Sequence, residues 1–284
     1  MSYIIDAVRT PIGNFGGTLK DIRTDDLAAI PIKELVKRNK IDAKNIDDII
    51  LGCANQAGED NRNVARMAAL LADIPYSVPG ETINRLCSSG MSSVIHAHRA
   101  ILCGDGDIFI SGGVENMTRG PWVISKASTP FGRDSKMFDS SFGWRFINPR
   151  LDSLYGTEGM GKTAENLAEK FNINRYDQDL FAYNSQMKAA DANKKGRFKK
   201  EIVTVEIPQR KKDSIFFSQD EFIKPQTSIE ILSKLKTVFK ENGTVTAGNS
   251  SGLNDGAAAM LLASNKAVKK YDLKPLAKII SSAV

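Results

Sequence analysis

The sequence predicts an α/β core built from βαβ units and interrupted by a long insertion, and three observations carry this. Apolar strand-like runs alternate with amphipathic helical stretches of about 10 to 15 residues through the first part of the chain, the alternation that produces a mostly parallel sheet. From Met117 to about Val245 the chain is more polar, loop-rich and helical. A β-rich pattern then returns in TVTAGNSSGLNDGAAAMLLAS (Thr244–Ser264) and LAKIISSAV (Leu276–Val284). The expected organisation is a core made of residues 1–116 and 247–284, with residues 117–246 inserted as a separate domain.

Taken in order, YIIDAVRTP reads as a buried strand stopped by Pro11. TDDLAAIPIKELVKRN reads as an amphipathic helix, with Thr24 as N-cap and acidic residues in its first turn. IDDIILGCA is a second strand, and DNRNVARMAALLADIP a second helix, capped near Asp60 and stopped by Pro75. ETINRLC is a short strand feeding a helix from about Ser88 to Cys103, which GDG ends. DIFISGGVENM is a further strand ending at a Gly-Gly turn. KTAENLAEKFNI and RYDQDLFAYNSQMKAADAN are the strongest helices of the insertion. GNFGG (Gly13–Gly17) is neither a GxGxxG fingerprint nor a P-loop, so a dinucleotide fold has little support.

Length and composition narrow the function. A chain of 284 residues with 42% hydrophobic and 25% charged content can bury a large core. No run of 18 apolar residues occurs, which excludes a membrane-spanning helix, and MSYIIDAVRTP lacks the regions of a signal peptide. Three cysteines without CxxC or HxxxH spacing argue against a disulfide framework and a metal site, and point to a reducing cytoplasm. The net charge of +6 draws on KKGRFKK (Lys194–Lys200) and QRKKD (Gln209–Asp213), read as solvated surface or as contacts for an anionic ligand such as a nucleotide. Nucleic acid is not expected, because no recognition motif and little aromatic interleaving accompany these segments.

The chemistry concentrates in NRLCSSGMSSVIHAHRAILCGDGD. Cys87 falls at the N-terminus of the predicted helix, where unpaired N–H groups and the positive dipole end favour a thiolate and a neighbouring oxyanion. An activated nucleophile and a small buried core cysteine are both compatible with that position. His96 and His98, the chain's two histidines, lie about 13 and 16 Å along the helix axis from Cys87. His96 also falls on the opposite face. A general base must approach to about 3 Å, so both are read as packing or surface residues and a histidine partner for Cys87 must come from elsewhere. Cys53 and Cys103 are both expected to pack.

The residues around Cys87 also carry a family resemblance. INRLCSSGMSS followed by ISGGVENMTRGPW resembles the nucleophile region of thiolases, GTVTAGNSSGLNDGAAAMLLAS resembles a second thiolase block, and VRTPIGNFGG resembles the family's opening. ILGCANQAGEDNRNVARMAALLADIP and FGWRFINP are most similar to the 3-oxoadipyl-CoA thiolases of aromatic-acid breakdown. The resemblance implies a thiolase-like fold whose N-terminal core has a mixed five-stranded sheet, with an inserted loop domain covering a coenzyme A site. It implies that Cys87 forms an acyl-thioester intermediate and that coenzyme A is a co-substrate, with no permanently bound cofactor. Ser251 matches the serine that contacts the pantetheine arm. Ala247, Gly248 and Phe239 match positions lining that channel, and Met160 a methionine near the acyl group. Lys224 stands where some members place an arginine against the adenine, keeping the charge without the flat stacking fork. Gly159 stands where many biosynthetic thiolases have a histidine, which argues for a roomier acyl pocket.

Thiolases also have a C-terminal half with Asn-Glu-Ala-Phe, Gly-His-Pro and Cys-x-Gly motifs, and none of these occurs in the sequence. The expectation is that LAKIISSAV begins that absent half, that the chain exposes apolar surface, and that it has little activity alone. By the same resemblance a full enzyme is a homodimer or homotetramer. An acetoacetyl-CoA or general 3-ketoacyl-CoA thiolase, a non-catalytic coenzyme A binding or assembly module, and a ketoacyl-synthase-like condensing enzyme are the competing readings.

Overall fold

The computed structural model describes residues 1–284. In chain order the first elements are β1 (Ser2–Arg9), β2 (Gly13–Asn14), α1 (Thr24–Asn39), β3 (Asp48–Gly52), α2 (Val64–Leu71), β4 (Gly80–Ile83), α3 (Ser89–Cys103) and β5 (Ile108–Asn116). Then come β6 (Trp122–Ile124), β7 (Met137–Asp139), α4 (Pro149–Tyr155), α5 (Met160–Lys170) and α6 (Arg175–Lys194). The last are β8 (Val205–Gln209), β9 (Lys212–Phe217), α7 (Ile229–Ser233), β10 (Asn254–Ser264), α8 (Asn265–Lys270) and β11 (Ala277–Lys278).

Two units divide these elements: Met1–Gly120, Lys199–Glu221 and Asn254–Val284 form the first, Pro121–Phe198 and Phe222–Leu253 the second. The inserted segment read from the sequence as 117–246 is therefore not one body. Residues 199–221 belong to the first unit because Val205, Ile207 and Phe217 of the β8–β9 hairpin are buried in its main core, and Arg9 of β1 pairs with Glu201 at 2.8 Å and Asp220 at 2.7 Å. Residues 247–253, expected in the core, belong to the second unit.

The sheet of the first unit runs β11-β1-β10-β5-β3-β4, with the two-residue β2 pairing β10. Its five longer strands make the mixed sheet that was expected, extended by the short β2 and β11. β3 is parallel to β4 and β5, whereas β10 is antiparallel to both β1 and β5. The ladders are thus less parallel than the alternation of strands and helices implied, because β10 returns from the second unit and slots in reversed between two strands that point the same way.

Period-2 alternation divides this sheet's side chains between two cores. Ile49 and Leu51 of β3, Ile108 and Ile110 of β5, and Leu261 of β10 pack with Leu27, Ile32 and Leu35 of α1 and with the alanines of α2. Ile50, Phe109 and Leu262 point the other way and pack on Ala97 and Ile101 of α3. Each fully buried Leu or Ile contributes about 1.5–3 kcal/mol, so α3 is pinned to one face of the sheet and α1 and α2 to the other. Met91 and Leu102 of α3 remain exposed.

Two expected helix caps fall elsewhere. Thr24 is the first helical residue of α1, and its N–H is taken by Glu59 at 3.2 Å, a carboxylate that also pairs with Arg119. The cap of α2 is Asn63, whose side chain accepts the Arg66 N–H at 3.3 Å, so that helix starts later than Asp60. No helix is long and apolar enough to cross a membrane.

Candidate active site

β4 ends at Ile83 and α3 starts at Ser89, and the five residues between them turn the chain back over the carboxyl ends of β3 and β4. In open α/β sheets this end of the parallel strands is where ligands bind. Cys87 lies in that turn and is exposed. Leu86, before it, has φ of 50°, left-handed backbone that an ordinary side chain rarely adopts. Ser89 clamps the turn from the helix side: its Oγ accepts the Arg85 N–H at 2.7 Å and donates to the Leu86 carbonyl at 2.6 Å. The Ser88 and Ser89 N–H groups close back onto the Arg85 and Leu86 carbonyls at 3.1 and 3.0 Å. Ser88, the N-cap of α3, makes no side-chain capping bond.

Gly52 lets α3 sit this close to the sheet: a Cβ there would overlap the backbone of Ser89 and Gly90. Ser93 Oγ lies 2.7 Å from the carbonyls of both Gly90 and Gly112, fastening the first turns of the helix to β5.

The other cysteines and the histidines are placed differently. Cys53 is buried, as expected, and its thiol donates to the Asn55 carbonyl at 3.1 Å. Burial, with Glu115 and Asp60 nearby, pushes that thiol far above the ordinary range, so it stays protonated. Cys103 is exposed, contrary to the packing expected of it, because α3 ends there in a left-handed Gly104 with φ of 86° that turns the chain away. His98 is buried, its Nδ1 2.5 Å from Ser2 Oγ of β1. Burial, with the positive N-terminus and Arg99, lowers its pKa. It is engaged with β1, three helical turns beyond Cys87.

The six residues matched to coenzyme A contacts all fall in the second unit. Ala247, Gly248 and Ser251 lie on the loop Thr244–Leu253, which the sequence read as part of a β pattern but which holds no strand before Asn254. This loop is built on two buried carboxylates. Glu165 of α5 accepts the N–H groups of Thr244 at 2.9 Å and Val245 at 2.8 Å, and the Thr244 hydroxyl at 3.1 Å. Asp179 of α6, paired with Arg175 at 2.8 Å, accepts Asn249 Nδ2 at 3.0 Å. Asn249 Oδ1 in turn takes the Thr246 N–H at 2.7 Å. Gly248 leaves room for Leu232 and Leu235. Ser251 and Ala247 face solvent.

The remaining three fall into two pairings. The Phe222 ring fills the space over Gly252, next to Ser251, and carries Lys224 Nζ 5.6 Å from its centroid. Met160 opens α5 and is 80% exposed, and the Phe239 ring lies over the adjacent Gly161. Phe239 also borders an open groove of about 570 Å³ lined by Lys236–Asn242. Sequence reasoning missed Glu165, Asp179 and Asn249, which hold the loop before β10, and read Ser89 only as a first-turn residue of α3. An Asn or Asp beside a Gly-rich loop was the one available signal.

Glu165 makes the loop acid-sensitive. Burial alone would raise its pKa, but the Val245 and Thr244 N–H groups and the Thr244 hydroxyl outweigh it and hold the carboxyl below its ordinary value of 4.5. A group depressed in the folded state stabilises above its unfolded pKa and loses that contribution as pH falls through its folded one. The second unit therefore loses stability as pH drops below 4.5. Glu165→Gln, which keeps one oxygen for both N–H groups but loses the charge that strengthens those bonds, lowers stability at pH 7 by about 1 kcal/mol and removes this part of the pH dependence. Thermal melts of both proteins between neutral and acid pH check it.

This fold is shared with solved structures of thiolases, which are acyltransferases. The chain belongs to that family: residues 2–266 match the thiolase N-terminal domain. It is 54% identical to the beta-ketoadipyl-CoA thiolase of Acinetobacter baylyi, over 99% of this chain and 70% of that protein. It is 52% identical to the 3-oxoadipyl-CoA/3-oxo-5,6-dehydrosuberyl-CoA thiolase of Escherichia coli, over 99% of this chain and 71% of that protein. Among solved structures, human mitochondrial 3-ketoacyl-CoA thiolase in complex with CoA superposes with a TM-score of 0.86 at 37% identity, covering 97% of this chain and 67% of that one.

Proposed function

We propose that this chain carries the nucleophile and coenzyme A contacts of a 3-oxoadipyl-CoA thiolase. The observation that carries the substrate is the 52–54% identity, across 99% of the chain, to relatives named for that substrate, against 37% to a 3-ketoacyl-CoA thiolase. In this reading the Cys87 thiolate attacks the 3-keto carbon of 3-oxoadipyl-CoA. The bond between C2 and C3 breaks, its electron pair passes to the departing acetyl-CoA enolate, and that carbon takes up a proton. The succinyl group stays on Cys87 as a thioester until the thiolate of free coenzyme A displaces it as succinyl-CoA. A thiolate suits both halves, being nucleophilic and a good leaving group.

The exposure of Cys87 in the turn that leads into α3 supports this role, since an incoming thioester can reach the sulfur. Ser251, Ala247 and Gly248 take the pantetheine arm, Lys224 the nucleotide end, and Phe239 and Met160 the channel and acyl group. Neither histidine is placed to act as a base for Cys87: both lie along α3, and His98 is engaged with Ser2 of β1.

The test is a competition. The protein is offered 3-oxoadipyl-CoA and acetoacetyl-CoA with free coenzyme A, and succinyl-CoA and acetyl-CoA are followed. A kcat/KM at least about tenfold higher for 3-oxoadipyl-CoA, some 1.4 kcal/mol of discrimination, supports the reading. A preference for acetoacetyl-CoA overturns the substrate, and binding of coenzyme A without any thiolysis overturns the enzyme.

A further inference from the structure

The left-handed Leu86 immediately before Cys87 is exposed and non-glycine, so something must hold it there. On its helix side stands Ser89, already described. On its other side the Leu86 N–H donates to Asn84 Oδ1 at 2.8 Å, and Asn84 Nδ2 donates to the Ala54 carbonyl at 3.0 Å. Ala54 is itself fixed. Its N–H and that of Asn55 donate to the two carboxylate oxygens of Glu115 at 2.9 and 3.0 Å, and the neighbouring Cys53 N–H donates to Ile83 at the end of β4 at 3.1 Å. A continuous series of bonds thus runs from a carboxylate on β5, through the backbone after β3, to the peptide that precedes the nucleophile.

We propose that Asn84 is a positioning residue for Cys87: by bridging the Ala54 carbonyl and the Leu86 N–H it holds the left-handed turn that sets where the sulfur and its flanking amides point. This rests on the reading of Cys87 as the nucleophile. The side chain is chosen by its chemistry, since holding both groups needs one donor and one acceptor on a short arm, which an amide has and a carboxylate or aliphatic side chain lacks.

The experiment uses alkylation by iodoacetamide, with Cys87, Cys53 and Cys103 quantified in one sample by peptide mass, alongside acylation of Cys87 by acetyl-CoA. Cys103 is exposed on the same helix and reports general access; Cys53 is buried and reports unfolding. Asn84→Ala is expected to slow both reactions of Cys87 by about tenfold or more while Cys103 and Cys53 react as before, because misplacement of a reacting group by an ångström is enough for such losses. Leu86→Gly in the Asn84→Ala background restores most of the rate, since glycine adopts the left-handed turn without a clamp. That rescue is a response a merely structural role of Asn84 would not give.

Rates of Cys87 within twofold of wild type in Asn84→Ala, or no rescue by Leu86→Gly, overturn the proposal. Should Cys53 become reactive in Asn84→Ala, showing that the fold has opened, Asn84→Asp decides: it keeps the acceptor for Leu86 and loses the donor to Ala54, so a several-fold slowing supports the proposal and an unchanged rate overturns it. A wild-type Cys87 that takes no acyl group at all overturns the reading of the nucleophile before any variant is made, and the proposal with it.

Discussion

Cys87→Ser leaves the protein folded and abolishes acyl-enzyme formation. Incubated with acetyl-CoA, the wild-type protein gains one acetyl group on Cys87 and releases coenzyme A; the serine variant does neither, with a loss on the order of 10³-fold or more. The substitution is nearly isosteric at an exposed turn, so stability changes by no more than about 0.5 kcal/mol. The hydroxyl fails because an alcohol is far less acidic than a thiol and a poorer nucleophile in its protonated form. Cys103→Ser is the companion: equally exposed, at the far end of the same helix, and without effect. Intact-protein mass spectra and coenzyme A release distinguish the two. An acetyl adduct that persists in Cys87→Ser, or that maps to Cys103 in the wild type, places the chemistry somewhere other than the β4–α3 turn.

Much of this turn was legible before any coordinates. The helix after Cys87 starts within a residue of where the serines and the apolar period put it, and the histidines lie where a rise of 1.5 Å per residue carries them, out of reach. What periodicity cannot show is long-range bonding. Thr24 looks like a cap in one dimension, but Glu59, 35 residues on, takes its N–H. TVTAGNSSG reads as a strand by composition, yet two carboxylates more than 60 residues earlier draw its amides into a loop. QRKKD looks like the surface of the insertion, but its hairpin is claimed by the first unit through the apolar side chains around it, Ile207 and Phe217. Cys103 was misjudged for a related reason: a helical period gives the face of a residue but not how far along the helix the sheet continues beneath it. In each case the deciding partner is remote in sequence, and the local pattern is compatible with either outcome.

Two neighbouring glycines bring the same lesson to the seat of Cys87. Gly52 ends β3 and Gly90 lies in the first turn of α3, and in the sequence both are merely small. A Cβ on Gly52 would come well inside 3.0 Å of the Ser89 carbonyl and the Gly90 nitrogen, backbone atoms that no rotamer change can move. A Cβ on Gly90 has only the Gly112 carbonyl near it, at an ordinary 3.8 Å. Gly52→Ala must therefore push α3 off the sheet, separating Ile50 and Phe109 from Ala97 and Ile101, and is expected to cost about 3 kcal/mol and to slow acylation and alkylation of Cys87. Gly90→Ala instead gains the helix propensity of alanine, about 1 kcal/mol, and leaves the turn in place. Denaturant melts with Cys87 labelling compare the pair directly. Because the strand position is the intolerant one, the result separates close seating of α3 on β3 from a general demand for small residues near the cysteine. Equal losses from both substitutions, or none from either, would mean that the helix that follows Cys87 is not held against the sheet at Gly52.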